Sequence, residues 1–194
     1  MTVSLLIPVT LNGTSAIVTD PCYYGGSEYM HHEVKDLQQY RGSWMLETHR
    51  EEMGGWGERT VELTVVHSTF SPSDARILSH SAGVDSGQMS ICGDRDAERF
   101  ANPDDYGPNG FEPLAHAGKF DYQGACDITL NHPTHSGVLC GVMAVSDTGC
   151  GDGVYPVYVW RNAAGMATKI SVDFRDDPEE DEYDEIEEEE VDDD

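Results

Sequence analysis

Arg59-Thr-Val-Glu-Leu-Thr-Val-Val-His-Ser68 decides the fold. Val61, Leu63 and Val65 alternate with Thr60, Glu62 and Thr64, the period-two pattern of a strand with one face buried. Upstream, Gly42–Thr48 is its natural antiparallel partner, reached through the Gly54-Gly55-Trp56-Gly57 turn. Further out, Ser4–Val9 and Ser15–Thr19 flank an Asn12-Gly13 turn signal, and Asp20-Pro21 stops the second run because proline cannot donate to a ladder. Ala75–Ser79, Gln88–Cys92, Gly137–Val145, Val154–Trp160 and Thr168–Phe174 read as further strands, the last two joined through Arg161–Gly165. Helical signals are few. Ser27–Tyr40 places Met30, Val34, Leu37 and Tyr40 on one face, and Asp94–Ala101 suits a brief helix. Asn102–Ala117, rich in Pro, Gly, Asn and Asp, is expected to be a long loop. The expectation is a mainly β or α+β single domain, sandwich- or barrel-like, over residues 1–175.

Residues 176–194 are of another kind. Fifteen of them are Asp or Glu, with no Lys or Arg, so this stretch is expected to be a disordered polyacidic tail. The whole chain carries 37 acids against 11 bases, a formal charge of -26. Without the tail, 22 acids and 11 bases leave -11, so the body is acidic in its own right. Such a balance argues against direct contact with nucleic acid or an anionic membrane, both of which select a basic footprint. It favours a basic protein surface or a divalent cation. The five cysteines, Cys22, Cys92, Cys126, Cys140 and Cys150, are odd in number and scattered, unlike a secreted disulfide framework. The opening Met1–Pro8 lacks the length and charge of a signal peptide, so a cytoplasmic location is expected, in a bacterium or in a host cell if the chain is phage-encoded.

Three aspartates sit in similar settings: Asp20 before Pro21, Asp85 in Gly83-Val-Asp-Ser-Gly87, and Asp152 in Gly151-Asp-Gly153. Brought together, they would offer oxygen ligands to a hard cation, or a small-ligand site. Taken separately, each is a turn former that bonds nearby backbone. The order Asp-Pro, Gly-Val-Asp-Ser-Gly, Gly151-Asp-Gly-Val-Tyr-Pro-Val-Tyr158 and Val172-Asp-Phe174 resembles a bacterial family catalogued as a domain of unknown function. Its members share the GVDSG and GDGxYP signatures. The resemblance covers most of residues 15–174, leaves out Asn102–Ala117 and the tail, and implies a compact domain in which Asp20, Asp85 and Asp152 matter, without implying a reaction.

Other motifs fall short. Asp105–Gly110 has Gly107 third and His116 twelfth where an EF-hand needs an oxygen donor and Glu. Cys126, His132, His135 and Cys140 lack the close C-x2-C pair of zinc sites, and Cys140 lies in an apolar run read as strand. Gly83–Gly87 displaces Ser86 by one position from a nucleophile elbow, and no P-loop, dinucleotide fingerprint or H-E-x-x-H is present. No catalytic residue is therefore assigned, and no cofactor beyond a divalent cation is suggested. Trp56, a large aromatic among glycines, suits a contact anchor, although folding back onto the core would also accommodate it. The leading expectation is an acidic interaction module of the immunity or phage-inhibitor type, including a mimic of nucleic acid. Its contacts would come from Trp56 and from Asp181, Glu182, Asp184, Glu185, Glu187, Glu188, Glu189 and Glu190 of the tail. The alternatives are a metal- or small-ligand-binding β-domain built on the three aspartates, and a structural component of a larger particle.

Overall fold

Alternating apolar residues need a second apolar face, and two antiparallel sheets supply it here. The protein is seen in a computed structural model that describes residues 2–3, 6–24, 31–39, 42–100 and 119–175. In chain order the strands are β1 (Thr2–Val3), β2 (Ile7–Val9), β3 (Ser15–Thr19), β4 (His31–Lys35), β5 (Trp44–Glu52) and β6 (Glu58–His67). They continue as β7 (Ala75–Val84), β8 (Gln88–Gly93), β9 (Ser136–Leu139), β10 (Met143–Asp147), β11 (Gly153–Arg161) and β12 (Ala167–Asp173). Helix α1 (Asp94–Ala97) follows β8, and α2 (Tyr122–Asn131) precedes β9.

The larger sheet runs β1-β5-β6-β12-β11-β7, with β2 also paired to β5; the smaller runs β4-β3-β8-β10-β9. Val61, Leu63 and Val65 of β6 are fully buried, as their alternation requires, and Leu63 and Val65 share one core cluster with Val18, Met89, Ile91 and Ala144 of the smaller sheet. Strand β8 is buried at all six positions because its other face is covered too. There Cys92, Met143 and Val145 pack with Ala125 of α2 and with Phe100, and Tyr122 and Ile128 lean on the same cluster. The result is a sheet-on-sheet sandwich with a helical layer outside the smaller sheet, a strand-rich architecture as the sequence suggested. Among the described residues no helix is long and apolar enough to cross a membrane.

Several local expectations are corrected. Residues 31–35 form edge strand β4 rather than helix, because pairing with β3 buries Val34 completely, and Asp36 at φ 60° ends the run. The expected strand 137–145 is two strands. Cys140 (φ 49°) and Gly141 (φ 77°) occupy the left-handed centre of a turn closed by Val142 N–H donating to Leu139 O at 3.1 Å. Asn12-Gly13 does not close a hairpin, since β2 belongs to the larger sheet and β3 to the smaller. Gly13 instead lies against α1, where an added Cβ would stand 1.3 Å from Asp94 Oδ1. Ser4–Leu5, residues 27–30 and 40 of the expected helix, Asn102–Ala117 and the tail from 176 onward lie outside the described residues.

Candidate functional site

At one end of the sandwich, the turn Asp85-Ser86-Gly87 between β7 and β8 is gripped from two sides. Asp20 leaves β3 and caps the 3₁₀ turn Pro21–Tyr23, whose proline needs no hydrogen-bond acceptor. Its carboxylate is fully buried and accepts four hydrogen bonds. Oδ1 takes Cys22 N–H at 2.9 Å and Ser86 Oγ–H at 2.6 Å; Oδ2 takes Asp85 N–H at 2.9 Å and Ser86 N–H at 2.7 Å. From the β10–β11 connection, Asp152 Oδ1 accepts Gly87 N–H at 3.0 Å, while Gly87 O accepts Thr148 N–H at 3.0 Å. Asp85 itself faces solvent and accepts the Tyr23 hydroxyl, and that bond holds the phenol above its ordinary pKa. Asp20, Asp85 and Asp152 therefore all belong to one turn cluster, Asp20 and Asp152 as acceptors of its backbone N–H groups and Asp85 as part of the turn itself.

Their chemistry is that of acceptors for N–H and O–H donors. Both Asp20 oxygens are occupied by protein donors, which removes them as cation ligands without breaking the turn. Among the described residues no group of three or more His, Cys, Asp or Glu is placed to hold a metal ion. Cys22 lies beside the carboxylate, but burial, then Asp20, pushes its thiol up to about 12, so it stays neutral and unreactive. Tyr122 of α2 lies beside Ser86 and Cys126, and burial raises its hydroxyl to about 12. The zinc quartet disperses. His135 Nδ1 donates to Thr129 O at 2.8 Å and the ring lines one cavity, whereas His132 and Cys140 line another on the far side of α2.

Beside the gripped turn lies a cavity of about 280 Å³ that no sequence motif announced. Arg50, Arg59, Gln88, Thr129, His135 and Asp147 line it. They come from β5, β6, β8, α2, the α2–β9 link and β10, so only the tertiary fold unites them. Asp147 accepts the Thr60 hydroxyl, and burial raises its carboxyl above the ordinary aspartate value.

Trp56 stands at the same end, on the tip of the β5–β6 hairpin. It is 68 % exposed, so the alternative of folding back onto the core is set aside. Gly54 (φ 62°) and Gly57 (φ 73°) take left-handed conformations that make the tight 3₁₀ tip, closed by Gly57 N–H to Gly54 O at 3.1 Å. Met53 is exposed beside it, and Glu51, Glu52 and Glu58 flank the tip. The end of β12 reaches this hairpin, with Arg175 Nη1 3.2 Å from Glu51 Oε1 and Arg175 Nη2 2.8 Å from Asp173 Oδ2. Asp181, Glu182, Asp184, Glu185 and Glu187–Glu190 lie outside the described residues.

Compared with protein-family models, curated proteins and solved structures, the chain finds no match.

What the site offers is therefore read from its own atoms: a rigid turn cluster, an exposed aromatic tip rimmed by acids, and a polar cavity between them. Sequence inspection found Trp56 and the three aspartates because each carries a local signal of glycine, proline or aromatic character. Tyr23 and Ser86, which bond Asp85 and Asp20, carry no such signal, nor does any part of the cavity.

Proposed function

We propose that the protein is an acidic interaction module that seats on a basic protein surface, as immunity-type and inhibitor-type proteins do. The observation that carries this reading is the Arg175–Glu51 ion pair at 3.2 Å. It fixes the last described residue of the body at the root of the Trp56 hairpin, so the fifteen acids of residues 176–194 are attached where the exposed aromatic tip stands. A solvated Trp with a neighbouring Met is the kind of group that anchors an interface by filling a pocket on the partner. Glu51, Glu52 and Glu58 around it, and the acids beyond Arg175, steer a basic partner toward that anchor and raise the association rate. The resemblance of the GVDSG and GDGxYP turns to a bacterial family of unknown function belongs to the same proposal: those turns build the platform, and the hairpin and tail make the contact.

The test is capture from native lysate at low and high salt by three baits: the full chain, a chain ended at Arg175, and Trp56→Ala. A basic protein held by the full chain, released by salt and lost from the truncated chain supports the reading, because screening shortens the reach of surface charge to roughly 8 Å at physiological ionic strength. Trp56→Ala should weaken that partner by about 2 kcal/mol or more, roughly thirtyfold. A partner held equally by all three baits and unaffected by salt would overturn it.

A further inference from the structure

The cavity beside the gripped turn carries an inference independent of the acidic tail. Two opposite charges line it without pairing to each other. Arg59 donates through Nε to Trp56 O at 2.8 Å, and its terminal nitrogens have no partner among the described residues. Asp147 uses Oδ1 for the Thr60 hydroxyl and forms no ion pair among the described residues. Arg50, by contrast, is engaged: Nη1 donates to Pro133 O at 3.2 Å, Nη2 to Glu58 O at 2.9 Å, and Glu58 Oε2 stands 3.9 Å from its Nε.

Between these charges sits a stronger indication. Gln88 is only 6 % exposed, and its Nε2 donates to Cys126 Sγ at 3.3 Å, yet its Oε1 has no hydrogen-bond donor among the described residues. An unfilled buried carbonyl costs free energy, so it marks a place where a donor from outside the protein belongs. His135, with its Nδ1–H donated to Thr129 O, adds its Nε2 to the same lining. Leu130 stands exposed at the mouth and offers apolar surface. The volume, about 280 Å³, lies just under the range of roughly 300–1,000 Å³ that drug-sized ligands occupy, so the occupant is smaller.

We propose that this cavity binds a free α-amino acid, with its carboxylate on the Arg59 guanidinium and its ammonium on Asp147 and Gln88 Oε1. A guanidinium holds a carboxylate through parallel charge-assisted bonds. An ammonium has three donors, which matches the Asp147 oxygen left over from Thr60, Gln88 Oε1 and His135 Nε2. The side chain of the amino acid then points past Leu130 toward solvent. A simple anion would satisfy Arg59 but leave Gln88 Oε1 unfilled, and an amine alone would do the reverse.

The experiment is thermal unfolding of the full chain against each of the twenty amino acids, followed by calorimetric titration of any that shift the midpoint. A bound amino acid at roughly 100-fold above its Kd should raise Tm by about 5–10 °C. Arg59→Gln and Gln88→Met should each weaken it at least tenfold while the unliganded Tm holds. If Gln88→Met lowers the unliganded Tm, Asp147→Asn, which retains an acceptor for Thr60, takes its place. The proposal is overturned if none of the twenty shifts the midpoint. It is equally overturned if acetate, inorganic phosphate or propylamine alone reproduces the shift, or if the variants bind like the parent.

Discussion

Replacing Asp20 tests whether one buried carboxylate holds the whole end of the sandwich. In Asp20→Ala three backbone N–H groups, those of Cys22, Asp85 and Ser86, lose their acceptor, as does the Ser86 hydroxyl. The hydroxyl can rotate to another partner, but the amides cannot. A buried donor left unsatisfied costs about 1–3 kcal/mol, and removing the charge itself recovers part of its desolvation penalty, so the low end of that range applies to each amide. The expected loss is about 3–5 kcal/mol, which for a chain of this length lowers Tm by about 6–20 °C. Asp20→Asn keeps one acceptor oxygen and the side-chain volume, and should lose roughly half as much. Ser86→Ala removes a single donor and should cost about 1 kcal/mol. Urea unfolding with a common slope, together with amide exchange at Asp85 and Ser86, reads all three. Asp20→Ala within about 1 kcal/mol of the parent, or no better tolerated as Asn than as Ala, would refute the account of this turn.

Three other substitutions have outcomes as definite. Gly149 adopts φ 60°, and an added Cβ would stand 2.0 Å from Thr60 O, so Gly149→Ala should cost about 2–4 kcal/mol in urea unfolding. Gly87→Ala has a similar φ of 67° and meets nothing within 4 Å, so it should cost only about 1–2 kcal/mol. His32 of β4 donates to or accepts from Ser79 Oγ at 2.8 Å and packs on His80, and burial, then His80, lowers it to about 4, with Glu33 opposing and His31 adding. The unfolded chain therefore binds this proton more tightly than the folded one. Stability from this group is complete above pH 6.5 or so and is lost as the pH falls from there toward about 4. His32→Gln should flatten that part of the urea-midpoint profile, and an unchanged acid slope would contradict the assignment.

The sandwich was legible wherever one face of a strand meets the core and the other does not. Arg59–Ser68 matches β6 to within a residue, its partner, β8, β11 and β12 fall within a few residues of their expected bounds, and Ala75–Ser79 covers only the first half of β7. Reading failed where long-range packing outweighed local pattern. Met30, Val34, Leu37 and Tyr40 have helical spacing, but Val34 and Leu37 are buried by strand pairing and by a bridge from Leu37 to Ala167. Helix α2 escaped notice because Gly124, Ala125 and Thr129, its buried residues, are small and make no apolar stripe. Its one local sign was Asp121, whose side chain caps Gly124 N–H at 2.8 Å. At the site, the turn-forming character of the three aspartates was plain. That Asp20 grips residues 65 and 66 positions away was not, since such contacts exist only once the sheets have closed. Asp147, Gln88 and Arg59 carry no local signal at all.

The placement of β12 has a mechanical consequence. Whatever pulls on the chain beyond Arg175 pulls on a strand flanked on both sides, by β6 and by β11. Force along its axis loads two ladders in shear together, instead of opening one bond after another. The opposite end of the chain begins with β1, two residues at the sheet's rim, which would peel away singly. An unfolding machine that engages the C-terminal side thus meets two ladders at once where the β1 end offers one, and resistance there is set by the unfolding barrier rather than by equilibrium stability.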